Sequence, residues 1–224
     1  MPEADPKEAR MSQSMSASDQ VYGHVRELIL DGGIGAGELI TEGQFVEATG
    51  LSRTPVREAF LRLEAEGWLK LYPKRGALVV PVQPEEKEQV LEARQLIETH
   101  AMTTIAASAS ASARVSERLL EITEQTREAM DADDITAFTT LDAEFHVALV
   151  DSSGNDILSD IYRGLRDRLR RMTTRSVWND RTRMQVIVAD HHELAEIVAR
   201  RDVDAFSVRL MEHMRATHDR ARSL

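Results

Sequence analysis

The sequence predicts a mainly α-helical protein in two parts: a small helical region that ends in a β-hairpin, and a longer region made of helices alone. Aromatic residues make up only 4% of the 224 residues, whereas 42% are hydrophobic and helix-favouring Ala, Leu, Glu and Arg are abundant. Strand-type patterning falls in "WLKLYPKRGALVVPV", and apolar residues elsewhere recur at helical spacing. Long helices with a single hairpin favour two adjacent domains.

Composition limits the classes of function. The absence of cysteine excludes disulfide bonds, thiolate metal sites and cysteine nucleophiles. No apolar run approaches the roughly 20 residues of a membrane-spanning helix, and residues 1–17 lack the apolar stretch of a signal peptide. We therefore expect a flexible tail at 1–17 and a cytoplasmic protein without membrane contact. The net charge of −10 argues against indiscriminate nucleic-acid binding but permits a local basic patch.

The first part reads as helix, helix, turn, helix and hairpin. A helical stripe covers 18–32, and the short helix "TEGQFVEAT" ends at Gly50. Ser52 is the expected N-cap of "RTPVREAFLRLEAEG", in which Pro55 occupies the first turn, where a missing N–H costs little. The hairpin follows with a basic tip, "PKRG". This order is that of a winged helix-turn-helix domain, which we expect at 18–80.

The helix that opens with Arg53 and Thr54, followed one turn later by Arg57, has the character of a recognition helix. Arginine can bind guanine bidentately and threonine can hold a phosphate. Residues 51–62 contain three arginines and one glutamate, a local charge of +2 on an acidic chain. From spacing alone, an ordinary amphipathic helix with surface arginines is an equally good interpretation.

The residues "SRTPVREA", followed by "LRLEAEGWL" and a hairpin with "RG", closely resemble the DNA-binding domain of GntR-family bacterial transcription regulators over about residues 18–82. One departure is Gly43, where some family members carry a further arginine, so base preference can differ. The resemblance implies operator contacts on the recognition helix by Arg53, Thr54 and Arg57, and a wing at the minor groove near Lys74, Arg75 and Gly76.

The second part begins after a proline-containing charged stretch at 81–86, the expected linker. No strand pattern follows, and we expect a helical domain over 87–224. The predicted bundle has about six helices, at roughly 85–107, 115–131, 134–151, 156–176, 183–200 and 203–220.

Two adjacent histidines in "IVADHHELAEIV" raise the question of a site in this bundle. Neighbouring residues on a helix point about 100° apart, so both cannot serve one centre. His191 shares the apolar face with Ile187 and Leu194, whereas His192 lies at its flank. A single inward histidine is more often a hydrogen-bonded core residue than a ligand, so the interpretation depends on companions.

Companions are present on two other predicted helices. Asp142 and His146 are four residues apart and share one face, and His213 faces inward on the last helix. A tight turn near Arg201 would make the last two helices antiparallel, which places His191 and His213 at nearly the same height. Three imidazoles and a carboxylate without cysteine suit Zn²⁺, Ni²⁺, Mn²⁺ or Fe²⁺, with no choice among them. His24, His100 and His218 have no comparable partners.

This pattern resembles the metal-containing FCD effector domain of the FadR-type branch of the GntR family. The resemblance implies that Asp142, His146, His191 (rather than His192) and His213 ligate a divalent metal ion. Arg94 faces inward as well, and its simplest interpretation is an ion pair with Glu98 four residues on. The resemblance favours a different role, in which Arg94 helps to bind a carboxylate effector at the metal.

Together these features predict a dimeric regulator, a repressor rather than an enzyme, that binds a palindromic operator in double-stranded DNA and responds to a small organic acid. Two alternatives stay open. The metal itself can be the signal, which would make the protein a metal sensor. A metallohydrolase is the less favoured alternative, because no general base stands out near the ligands and the DNA-reading half would be unexplained.

Overall fold

The computed structural model describes residues 15–218, so most of the expected tail at 1–17 lies outside the described residues. Within that range the chain forms two units, residues 15–29 with 34–81, and residues 30–33 with 82–218. The elements of the first unit are α1 (Ala17–Leu30), β1 (Leu39–Ile40), α2 (Glu42–Thr49), α3 (Arg53–Ala65), β2 (Leu69–Tyr72) and β3 (Gly76–Val79).

The first unit has the predicted winged helix-turn-helix architecture. Thr41 and Gln44 form a capping box that starts α2, and Gly50 in the left-handed conformation ends it. The apolar faces of α1, α2 and α3 meet in a core that includes an edge-to-face contact between Phe45 and Phe60. The prediction missed β1, a two-residue strand that adds to the hairpin and gives a three-stranded antiparallel sheet in the order β1-β3-β2.

The second unit consists of helices among the described residues, as expected. They are α4 (Pro84–Ala106), α5 (Ala109–Asp131), α6 (Ile135–Asp151), α7 (Asp156–Arg163), α8 (Arg166–Asn179), α9 (Thr182–Arg200) and α10 (Val203–His218). Side chains from α4, α5, α6, α9 and α10 form its largest apolar core, which contains Phe145, Leu149, Leu194 and Phe206. The predicted fold class, a winged helix-turn-helix followed by a helical bundle, is confirmed.

Two helix boundaries were wrong. The single helix expected at 156–176 is two helices. The apolar stripe continues along the sequence, but α7 ends at Arg163 because Gly164, a poor helix former, follows it as the C-cap. The helix expected at 115–131 begins already at Ala109. The Ser/Ala run predicted as a break is mostly helical, since alanine favours helix and the Ser108 side chain caps the N-terminus by accepting from the Ala111 amide.

No helix among the described residues is long and apolar enough to cross a membrane.

Candidate nucleic-acid interface and metal centre

The side chains predicted to meet DNA lie at the start of α3. Arg53, Thr54 and Arg57 are all exposed, whereas Val56 and Phe60 on the opposite face of the helix are buried in the unit's core. Ser52 occupies the N-cap position, but its side chain makes no capping hydrogen bond. The start of α3 therefore presents Arg53 and, one turn later, Arg57 on one exposed surface, and the N-terminal amides of a helix suit a phosphate.

The tip of the wing is a tight turn between β2 and β3. Lys74 and Arg75 are exposed there, and Lys74 adopts a left-handed conformation with φ of 63°. Gly76 has φ of 102°, and a Cβ at this position would clash with the Ile40 backbone oxygen. Gly76 is thus required by the turn and by the close approach of β1.

The four candidate metal ligands come together in the helical unit. Asp142 and His146 lie one turn apart on α6, His191 on α9 and His213 on α10, and one ligand atom from each can be chosen so that all lie within 4.8 Å of one another. The Nε2 atoms of His146 and His191 are 3.2 Å apart, and His191 Nε2 is 3.5 Å from Asp142 Oδ1. All four residues are at most 4% exposed. The group is one that could bind a metal ion.

The turn between α9 and α10 explains why two of these histidines meet. Arg201 ends α9 in a left-handed conformation with φ of 62°, and α10 begins two residues later at Val203. The two helices then pack against each other, and the ring centroids of His191 and His213 are 5.0 Å apart. The Phe145 ring stacks on His191 with a centroid separation of 4.0 Å and fixes the plane of that imidazole.

Carboxylates behind the cluster orient two of the imidazoles. Glu98 Oε2 lies 2.8 Å from His146 Nδ1, and Asp190 Oδ2 lies 3.2 Å from His213 Nδ1. When Nδ1 donates to a carboxylate, Nε2 keeps its lone pair, so these contacts favour the tautomer that can ligate through Nε2. The Thr173 hydroxyl donates to Asp142 Oδ2 at 2.9 Å. The other oxygen, Oδ1, is the one that lies beside His191 in the cluster.

Glu98 is the centre of a buried polar network. It accepts hydrogen bonds from Arg94 Nε at 2.8 Å and from the Tyr162 hydroxyl at 2.6 Å. Burial alone would raise the pKa of the Glu98 carboxyl, but the Arg94 guanidinium and His146 hold it well below its ordinary range. Burial and Glu98 raise the pKa of Tyr162, which keeps its hydroxyl protonated and donating. Glu98 therefore stays charged.

The polar atoms of the cluster fit a cation. Burial, and then the neighbouring His146 and His213, lower the pKa of His191 well below its ordinary value, and neutral imidazoles are the form that metals bind. Asp142 Oδ1 is buried and has no hydrogen-bond partner among residues 15–218. A buried carboxylate oxygen without a partner is costly unless a cation completes its surroundings.

Arg94 lies where the sequence placed it, facing inward, and it does form the ion pair with Glu98 that was its simplest interpretation. Its Nη2 atom, however, is buried and has no hydrogen-bond partner within the described part of the chain. His192 is exposed and lies 3.8 Å from Glu196, so it is separate from the cluster.

Sequence reasoning missed the orienting carboxylate Asp190, the hydroxyls of Tyr162 and Thr173, and the setting of His218. The position of Asp190 beside His191 in "DHHEL" was the one available signal. Tyr162 lies on the short helix α7, which the pattern had merged with α8. His218 had no predicted partners, and it lines a cavity of about 460 Å³ at one end of the bundle.

An exposed basic helix start with a wing and, after it, a helical unit with a buried cluster that could hold a metal ion are features of a DNA-binding regulator with a second, helical domain. The profile of the bacterial regulatory proteins of the gntR family matches residues 17–79, and that of the FCD domain matches residues 89–216. The chain belongs to the GntR family of transcriptional regulators, in the branch that carries an FCD domain.

Relatives and solved structures agree with this assignment. The chain is 28% identical over 202 residues, 89% of its length and 82% of the relative, to an HTH-type transcriptional regulator of Streptomyces ambofaciens. It is 24% identical to the HTH-type transcriptional repressor RspR of Escherichia coli, over 97% of this chain and 94% of that one. A putative GntR regulator from Rhodococcus sp. RHA1 shares the fold, with a TM-score of 0.72, 22% identity and coverage of 89% and 94%.

Proposed function

We propose that this regulator is a repressor that binds a palindromic operator as a two-fold dimer, and that a small organic acid bound beside a divalent metal ion in the helical unit releases it. The observation that carries the proposal is the buried group of Asp142, His146, His191 and His213. FCD domains are known to bind metals, and Zn²⁺, Ni²⁺, Mn²⁺ and Fe²⁺ all accept such ligands.

The proposed role of Arg94 follows from its unpartnered nitrogen. Its Nε atom is held by Glu98, whereas Nη2 is buried without a hydrogen-bond partner among the described residues. A carboxylate ligand would satisfy this donor with a charge-assisted hydrogen bond and would also supply oxygen atoms to a metal whose four protein ligands leave coordination positions open. In this proposal Glu98 orients both Arg94 and His146.

In the proposed DNA complex, the exposed start of α3 enters the major groove. Arg53 and Arg57 would read base edges, and Thr54 with the helix N-terminal amides would hold phosphates. Lys74 and Arg75 at the wing would lie at the minor groove. One such domain has too little surface for tight specific binding, so we expect a dimer, and family members are dimeric. Sedimentation of a monomer at micromolar concentration, with and without operator DNA, would contradict this part.

Repression is the favoured sign because RspR, similar to this chain over 97% of its length, is named as a transcriptional repressor. A ligand shifts DNA affinity only by as much as it prefers one conformation of the dimer over the other. The acid must therefore bind the DNA-free form more tightly.

A metal sensor is the second candidate, because the four candidate ligands are almost completely buried and could act without a further ligand. One titration distinguishes the two. An operator selected from random duplex DNA is labelled, and fluorescence anisotropy measures its release by organic acids alone, by chelator alone, and by acids after chelator. Release by acids only while metal is present supports the proposed function. Release by chelator alone supports the sensor, and an operator that stays bound in all three conditions would contradict both.

A further inference from the structure

A cationic side chain lies behind one of the candidate metal ligands. Arg209, on α10, donates through Nη2 to Asp190 Oδ1, and the other oxygen of Asp190, Oδ2, is 3.2 Å from His213 Nδ1. Asp190 and His213 are buried, whereas the Arg209 side chain is 19% exposed. The three residues therefore form a chain of contacts that begins at the surface of the bundle and ends in the cluster of candidate metal ligands.

The same order of contacts occurs at a second imidazole, where Arg94 and Glu98 lie behind His146. Glu98 is held by one further donor, the Tyr162 hydroxyl. Asp190 has no such further donor, because in the described part of the chain its side chain forms hydrogen bonds only with the arginine and the imidazole. The orientation of the Asp190 carboxylate therefore depends on a single cation.

Arg209 also joins α9 to α10. Its Nε atom is 2.5 Å from Glu193 Oε2, and Asp190 and Glu193 lie one turn apart on α9. Its Nη1 atom is 3.6 Å from Glu212 Oε2 on its own helix. Because Arg209 precedes His213 by four residues on α10, the guanidinium and the imidazole share one face of that helix and meet the same carboxylate.

The three carboxylates around Arg209 differ in their exposure. Those of Glu193 and Glu212 are exposed to water, which screens their charge. Asp190 is buried, and a buried carboxylate is costly without a paired cation. Without the guanidinium, this carboxylate would be stabilised by turning toward water and away from His213 Nδ1. Asp190 is therefore the partner whose position depends most on Arg209.

The third imidazole of the cluster is supported differently. His191 Nδ1 is buried and has no hydrogen-bond partner among the described residues, and the stacked Phe145 ring fixes its plane. The three candidate histidine ligands thus have three kinds of support, and His213 is the one whose support reaches the surface. The other two serve as internal references for any change at His213.

We propose that Arg209 is a positioning residue of the metal centre. Acting through Asp190, it holds the His213 ring with Nδ1 donating to the carboxylate and with the Nε2 lone pair free for the metal. This inference rests on the proposed function, because it assigns Arg209 a role toward the proposed metal ion. Residues behind a ligating histidine typically change metal affinity by about 10–100-fold although they do not touch the metal.

The first test measures the Zn²⁺ affinity of the full chain by competition with a chromophoric chelator. Arg209→Gln should bind Zn²⁺ about tenfold more weakly than the parent, and Arg209→Lys about threefold more weakly, because lysine keeps the charge but loses the planar fork. Two controls should stay within about twofold of the parent. Arg215→Gln removes an exposed arginine from the same helix, and Glu193→Gln removes a partner of Arg209 other than Asp190.

The second test uses the metal-free protein and reports a property that a purely structural role would not change. Two-dimensional ¹H–¹⁵N NMR, at a pH where the imidazoles are neutral, distinguishes the two tautomers of each histidine. The parent should hold His213 as the Nδ1–H tautomer, and Arg209→Gln should show a mixture of the two. The signal of His146, which Glu98 orients, should not change. The loss of one signal in His213→Gln identifies that of His213.

A double-mutant cycle tests the route through Asp190. Adding Arg209→Gln to Asp190→Asn should lower the Zn²⁺ affinity by no more than about a further twofold, because the carboxylate through which Arg209 acts is already gone. Additive losses would show that Arg209 acts by another route and would overturn the inference.

The remaining outcomes separate the inference from the proposed function. Parental Zn²⁺ affinity or an unchanged His213 tautomer in Arg209→Gln would overturn the inference and leave the metal centre intact. An equal loss of affinity in Glu193→Gln or Arg215→Gln would do the same. If Arg209→Gln does not fold, Arg209→Lys replaces it, and parental values in both measurements overturn the inference. If the parent binds no divalent metal ion, the proposed function fails and the inference fails with it.

Discussion

The two units hold their functional side chains in contrasting surroundings. In the DNA-binding unit Arg53, Thr54 and Arg57 are exposed and form no hydrogen bond or ion pair with other side chains among residues 15–218. In the helical unit Asp142 and His191 are buried and belong to a network of packed polar groups. The first arrangement stays available for a large partner, whereas the second is suited to an ion or a small molecule.

This difference has an energetic consequence. An exposed arginine contributes little to folding, so its loss should affect binding and leave stability nearly unchanged. A buried ion pair or set of metal ligands affects the free energy of unfolding, because removing one member leaves another buried group without its partner. Function and stability should therefore separate in the DNA-binding unit and change together in the helical unit, which four comparisons of variants with matched controls can test.

The largest effect is expected for Glu98→Ala. It leaves the Arg94 guanidinium, which is 2% exposed, without its carboxylate and leaves the Tyr162 hydroxyl and His146 Nδ1 without an acceptor. We expect the free energy of unfolding to fall by about 3–5 kcal/mol, measured by urea denaturation followed by circular dichroism. Glu92→Ala, an exposed position on the same helix, should stay within about 0.5 kcal/mol of the parent. If both variants lose the same free energy of unfolding, the buried network around Glu98 does not stabilise the fold.

The next effect concerns the adjacent histidines. His191→Ala should abolish stoichiometric metal, and His192→Ala, at an exposed neighbour, should retain it. With free metal at 100 to 1,000 times its dissociation constant, the parent should gain about 3–4 kcal/mol of stability that His191→Ala lacks. Elemental analysis and thermal melting with and without chelator measure both quantities. Metal loss in His192→Ala alone would contradict the ligand assignment, and retention in both variants would contradict the site.

The contrast between the units also explains what sequence could predict. The helix start and the exposed charge of "SRTPVREA" are local properties, so the sequence could predict them, but the interpretation as a recognition helix rested on the resemblance to the GntR family. The common helix face of Asp142 and His146 is likewise a local property. The contacts of Asp190 with His213 and of Tyr162 with Glu98 depend on packing between helices, which no local pattern encodes. The break at Gly164 was missed because the apolar stripe continues through it.

A third, smaller effect tests the wing. Gly76→Ala requires alanine at φ of 102° and brings its Cβ against the Ile40 backbone oxygen, so we expect a loss of about 2–4 kcal/mol in the free energy of unfolding. Gly67→Ala is the matched control, because its φ is 80° but nothing lies within 4 Å of the added Cβ. It should cost about 1 kcal/mol, the conformational contribution alone. Identical losses for both variants would show that the approach of β1 to the turn adds nothing.

The smallest effect on folding, and the sharpest separation from function, is expected at the start of α3. Arg53→Ala and Arg57→Ala should each weaken operator binding by about 1–3 kcal/mol, the range for bidentate base contacts, and affect binding to random DNA less. Arg62→Ala is the control on the same helix, where the guanidinium is paired with Asp19 and Glu66 instead of being available to DNA.

Fluorescence anisotropy measures the three affinities, and urea denaturation checks that the stability of Arg53→Ala and Arg57→Ala stays within about 0.5 kcal/mol of the parent. If a variant loses both operator binding and stability, its arginine contributes to the folding of the DNA-binding unit. If Arg53→Ala binds the operator as tightly as the parent while Arg62→Ala does not, the DNA-reading surface lies at the other end of α3. In either case the exposed charge at the start of that helix would no longer mark the site.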